Sequence, residues 1–247
     1  MTVDDKLKDE DEPRGPGMFG KLYLKAAQKV GKAEKTKVEP AFQENINRVV
    51  KYHIVADKIV DSCEMQIQPD IAALSLRIEH AKDENPWELL AGWMTHLGTF
   101  HYTGNDTKTL ERYSQAAAKI AIKERQAQTR SRMLIRKMRA YVSIESSKLN
   151  EDITKMHQYL EAIDESRHLL KESKTVNEVK KRGEECRRNI IGFNRRANNL
   201  QSCIDEMSVI IRLHQLELIR YCNELAYLNR AKNQILVEAR LRLGRKK

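Results

Sequence analysis

The feature that most constrains this sequence is a run from Val176 to about Arg242 with no proline and only two glycines, Gly183 and Gly192. Its apolar residues keep a seven-residue beat through Ile190, Phe193, Ala197, Leu200, Ile204, Met207, Ile211, Leu218, Tyr221, Leu225 and Leu228. The steps alternate three and four, and His214 fills the one missed position. That period places one apolar seam along a single very long helix, roughly 100 Å at about 1.5 Å per residue. So long a helix cannot bury its seam against itself, and the rest of the chain must supply partners of similar length.

Composition supports this. The chain has 247 residues, 10 of them glycine and 5 proline, and 32% of it is charged. Such a profile suits long helices better than a compact mixed fold. No apolar run is long enough to span a bilayer, and the acidic, lysine-rich start carries no apolar signal region. The four cysteines, Cys63, Cys186, Cys203 and Cys222, show no paired spacing. They read as reduced thiols, which places the expected compartment in the cytoplasm. The formal net charge of +10 points to a polyanionic partner, either nucleic acid or anionic lipid.

Residues 1–17 form a polar leader, acidic at Asp9–Glu12 and closed by Pro13, Gly15, Pro16 and Gly17, and are expected to be flexible. Residues 18–36 form an amphipathic segment. Phe19, Leu22, Tyr23, Ala26 and Val30 share one helical face, and Lys21, Lys25, Lys29 and Lys32 lie opposite. This pattern suits a helix lying in a membrane interface, and equally a surface helix or a basic targeting segment.

A second seam begins after Glu39-Pro40 and runs through Phe42, Ile46, Val49, His53, Ala56, Val60, Cys63 and Ile67. His53 reads as a packing residue, since no metal-like spacing accompanies it. Residues 69–86 interrupt this helix, which then resumes to about residue 100. A second helix is expected over about 107–172, started by Thr107 or Thr109 as cap, with Leu149, Ile153, Met156, Leu160, Ile163 and Leu170 as its seam. Its first half is looser in phase and strongly basic, with Lys119, Lys123, Arg125, Arg130, Arg132, Arg136, Lys137 and Arg139 against Glu124. The four-residue link Glu172–Thr175 makes it an antiparallel neighbour of the third helix, about 176–242. Basic residues crowd that hairpin tip at Lys171, Lys174, Lys180, Lys181 and Arg182, and Lys181, Arg188 and Arg195 recur seven apart on an outer stripe flanked by Arg182 and Arg196.

The sequence has no phosphate-cradling glycine loop, nucleophile elbow, metal cluster or paired catalytic carboxylates, so neither an enzyme nor a cofactor is expected. The basic clusters lack interleaved aromatics and match no recognition motif, so nucleic acid is not expected either.

Three stretches carry a family resemblance. KAAQKVGKAEKTKV (Lys25 to Val38) resembles the junction between the amphipathic segment and first core helix of the N-BAR branch of the BAR-domain family, in its endophilin-like form. MQIQPD (Met65 to Asp70) is similar to the point where that helix meets its membrane-facing insert, and WELLAGWMTHLG (Trp87 to Gly98) resembles the helix that follows. The resemblance implies an all-α fold: three long kinked antiparallel helices in a coiled-coil bundle over residues 37–243, paired as a crescent homodimer, with an N-terminal amphipathic helix. It implies a protein peripheral on anionic phospholipid membranes that senses or generates curvature in endocytosis or vesicle trafficking. Phe19, Leu22, Tyr23, Ala26 and Val30 would insert, joined by Ile71, Leu74 and Ile78 of a central wedge. Lys21, Lys25, Lys29, Lys32, Lys171, Lys174, Lys180, Lys181, Arg182, Arg188 and Arg195 would meet lipid headgroups. A second protomer would cover apolar surface near Leu218 to Leu228. Two departures stand out: the insert carries only Arg77 and Lys82 as basic residues, and the leader's acids oppose insertion. The alternative is a helical dimer that scaffolds other proteins, such as a small GTPase.

Overall fold

The computed structural model of the chain describes residues 35–71 and 79–244. Among these residues every regular element is helical. Helix α1 spans Pro40–Ile67, α2 Pro86–Phe100, α3 Asn105–Leu134, α4 Arg136–Ala140 and α5 Ser146–Lys171. A π-helical turn, Tyr141–Glu145, joins α4 to α5, and α6 runs Val176–Gly244. The chain divides into two compact units. The first takes the described residues up to His53 with Ser143–Val209, and the second takes Ile54–Val142 with those from Ile210 onward.

In the first unit, α1, α5 and α6 close around Ile46, Val49, Leu149, Met156 and Leu200. Phe42, Val50, Ile153, Phe193, Ile204 and Met207 pack against that core. Each helix contributes residues three or four apart, the spacing that aligns side chains on one face. Gly192 sits against the ring of Tyr159, so closely that a Cβ there would overlap the ring. Only glycine permits that approach, whereas Gly183 on the same helix has open space around it.

The second unit has a core of small residues. Ala116, Ala117, Ala121 and Ala127 of α3 are buried with Ile120, Ile135 and Met138, together with Ala56, Val60 and Tyr221. Small side chains let α2 lie close along α3, where Ser114 Oγ donates to the Ala91 carbonyl at 2.8 Å and contacts Thr95 Oγ1 at 2.7 Å. Asn85 caps α2 by accepting from the Trp87 amide at 2.8 Å, ahead of Pro86 in the first turn. At the start of α3 the expected threonine caps are not used. Thr107 Oγ1 donates to the Gly98 carbonyl and Thr109 Oγ1 to the Asn105 carbonyl, while Gly104, at φ 66°, makes the turn. A positive φ favours glycine there.

The second helix of the sequence reading is broken at Ile135. The Glu217 carboxylate of α6 accepts from the freed amides of Met138 at 2.9 Å and Lys137 at 3.3 Å. The break contains neither proline nor glycine; a side chain from a neighbouring helix satisfies the interrupted ladder.

The long helix also corrects its own seam. Phe193, Leu200, His214 and Tyr221 turn inward as expected, but Ile190 and Ile211 remain exposed. The heptad position one earlier than these is turned inward instead, with Asn189, Arg196 and Glu217 all buried. Each of these polar groups has a partner: Asn189 Nδ2 donates to the Ala162 carbonyl, Arg196 pairs with Asp152 at 2.6 Å, and Glu217 holds the break. Arg196 therefore does not flank an outer stripe.

Candidate functional site: the basic surface of the α5–α6 hairpin

The turn between α5 and α6 is built by hydrogen bonds at every step. The Glu172 amide donates to the His168 carbonyl and the Ser173 amide to the Leu170 carbonyl, each at 3.2 Å. These bonds satisfy carbonyls that the end of α5 would otherwise leave open. Arg182 Nη1 donates to the Leu169 carbonyl at 2.5 Å and to Ser173 Oγ at 3.3 Å. Across the turn, Thr175 Oγ1 accepts from the Glu178 amide at 3.3 Å, and the Glu178 carboxylate accepts from the Lys174 amide at 3.0 Å. This is a variant of the threonine–glutamate capping box. The bond from the Lys174 amide holds the Glu178 carboxyl below the usual carboxylate range.

Charge is concentrated on this frame. Lys171, Lys174, Lys180, Lys181, Arg188 and Arg195 are all exposed, and no ion pair among the described residues engages the first four or Arg188. Lys181, Arg188 and Arg195 stand on one exposed stripe of α6. Arg182 differs, because its guanidinium is committed to the end of α5 and is half-buried. Like charges held together with few counter-charges create a positive potential that attracts anionic oxygen.

The most basic stretch of the sequence behaves differently. Arg125 pairs with both carboxylate oxygens of Glu88 and donates to the carbonyls of His80 and Ala81. Its guanidinium holds the Glu88 carboxyl below the usual range. Arg130 pairs with Glu224 at 2.6 Å, Arg139 with Glu64 and Asp61, and Arg132 approaches Glu64 at 3.7 Å. Four cations that looked like one basic patch are thus tied to carboxylates far away in sequence. No local spacing signals those partners.

Of the inserting residues expected from sequence, Phe19, Leu22, Tyr23, Ala26, Val30, Leu74 and Ile78 lie outside the described residues, as do Lys21, Lys25, Lys29 and Lys32. Ile71 is described and is 70% exposed. The amphipathic segment leads into Thr36. Its backbone amide donates to the Asp164 carboxylate at 3.0 Å and its hydroxyl to the same group at 2.5 Å.

Apolar side chains are exposed on two helices. On α2, Leu89, Leu90, Trp93, Leu97 and Phe100 are exposed, Trp93 and Phe100 at 68% each. On α6, Leu216, Ile219 and Tyr227 are exposed, while Leu218, Leu225 and Leu228 are half-buried within the chain. At about 100° per residue the open apolar row therefore lies on the face of α6 opposite the Leu218–Leu228 seam.

The described residues contain no group of three side chains able to hold a metal ion. Their four cysteines are free, and burial pushes the thiols of Cys63 and Cys203 up, away from the reactive thiolate.

A family model for the BAR domain matches residues 17–234. The chain belongs to the BAR domain family. A search of curated proteins finds no match. BAR domains are structural membrane-binding modules that generally dimerise and sense or generate membrane curvature, and the all-helical architecture of the described residues agrees with that. No helix among the described residues of this BAR domain is long and apolar enough to cross a membrane.

Proposed function

We propose that this BAR domain is an endophilin-like N-BAR homodimer that binds anionic phospholipid and senses or generates curvature during endocytosis or vesicle trafficking. The observation that carries the reading is the contrast between two sets of cations. Arg125, Arg130, Arg132 and Arg139 are tied to carboxylates, whereas Lys171, Lys174, Lys180, Lys181 and Arg188 remain exposed at one hairpin. Each basic residue brought near an anionic leaflet contributes about 1 kcal/mol. The amphipathic face of Phe19, Leu22, Tyr23, Ala26 and Val30 would add insertion, and Ile71 with Leu74 and Ile78 a central wedge. The apolar side chains of α2 and α6 would meet a second copy.

The test is co-sedimentation with phosphatidylserine vesicles. Binding should weaken with added salt and with Phe19→Glu, and electron microscopy should show tubulated vesicles. Absence of sedimentation at low salt would overturn the membrane reading. A small GTPase captured with no lipid requirement would favour the scaffold alternative.

A further inference from the structure

The hairpin tip carries an apolar feature that the charge reading leaves unused. Val176 opens α6 and is 84% exposed, and Val179, one turn on, is 47% exposed. Nothing in the fold accounts for either. A β-branched residue in the first turn brings no helix propensity. The first helix position ordinarily needs no apolar contact. In a hydrophobic staple the residue before the cap packs on the fourth helical residue. Here those positions are Lys174 and Val179, so Val179 has no apolar partner in a staple. Both valines are also held in place, since the turn before them is hydrogen-bonded from Glu172 to Glu178 and clamped by Arg182.

Their neighbours say what they face. At about 100° per residue, Val176, Val179, Lys180 and Arg187 fall within an arc of about 100° on α6. The stripe of Lys181, Arg188 and Arg195 begins about 60° beyond that arc, with Glu184 between them. From Lys171 to Arg182 there are five basic residues and two acidic ones, and one of the acids, Glu178, is engaged by backbone amides. An apolar tip ringed by lysines suits an anionic bilayer, where the long lysine stems keep their charges at the headgroups while short side chains pass below them.

We propose that Val176 and Val179 form a shallow membrane-inserting wedge at the hairpin tip, a contact separate from the amphipathic segment and the 69–86 insert. The lysines draw the tip to the leaflet, and the rigid turn presents the valines without an ordering cost. This rests on the membrane reading above.

Two measurements test it on the full chain with phosphatidylserine–phosphatidylcholine vesicles. Val176→Ser with Val179→Ser should weaken binding about tenfold, since partial burial of two valines is lost, while the salt dependence stays that of the wild type. Lys180→Ala with Lys181→Ala should instead flatten the salt dependence. In the second measurement, Val176→Trp should add emission that is quenched by vesicles with brominated acyl chains. Unchanged binding of the serine variant overturns the wedge, as does added emission that escapes quenching on sedimented protein. A wild-type chain that fails to sediment overturns the membrane reading itself, and the wedge with it.

Discussion

Gly192 and Arg196 lie four residues apart on α6, and each is indispensable for a different reason. A methyl at Gly192 overlaps the Tyr159 ring, so Gly192→Ala should destabilise the fold by about 1–3 kcal/mol despite alanine's better helix propensity. Gly183→Ala meets nothing and should stabilise by about 0.5–1 kcal/mol. Urea midpoints of the two variants, moving in opposite directions, check the pair. Arg196→Ala would leave Asp152 buried with its ion pair broken, at a cost of about 3–5 kcal/mol. Arg188→Ala, on an exposed site, should leave the unfolding midpoint within about 0.5 kcal/mol of wild type and reduce vesicle binding only. From sequence both arginines belong to the basic outer surface, Arg188 on its stripe and Arg196 flanking it. What separates them is a carboxylate 44 positions away.

At the scale of elements, the seven-residue beat makes the long helix and its partners legible. Phe193, Leu200 and Met207 pack where the beat puts them. The other half of the seam was not legible, because burial follows partners as well as hydropathy. Asn189, Arg196 and Glu217 go inside since carbonyls, a carboxylate and free amides await them there. The same Glu217 explains the break at Ile135, which no proline or glycine announces in the sequence. His214 beside it packs edge-on to Tyr141, and burial pushes its imidazole pKa down. Glu217→Ala should therefore expose the Lys137 and Met138 amides. Hydrogen exchange at those two positions should accelerate, and the domain should lose about 1–3 kcal/mol for the unsatisfied donors. Unchanged protection would mean that the break holds itself.

For the molecule as a whole, the all-helical class and BAR membership were readable from the sequence, through periodicity, few turns and the three resembling stretches. The distribution of charge was not, because pairing between distant helices decides which cations reach solvent. The same is true of the apolar surface: helical pattern over residues 87–97 does not say which of its apolar side chains are covered, and Leu89, Leu90, Trp93, Leu97 and Phe100 are all exposed in a single chain. An uncovered row of that kind favours pairing. Sedimentation velocity should give a dimer at micromolar concentration, and Trp93→Asp should shift it to monomer with its helical circular dichroism retained. A wild-type monomer at every concentration would remove the homodimer from the reading.

The bonds around Gln128 have a consequence for how this protein can change. Its Nε2 donates to the Ile67 carbonyl at 3.0 Å, and its Oε1 accepts from the His80 amide at 3.4 Å. Arg125 then fixes the His80 and Ala81 carbonyls to α3. One side chain thus fastens both ends of the stretch that begins after α1. Closing a longer loop costs only about 0.6 kcal/mol per doubling of its length. Ile67 and His80 are tied at a common point, so a change in the length of the sequence between them should cost the fold little. A lineage that needed a new surface contact could acquire it at this position with little risk to folding.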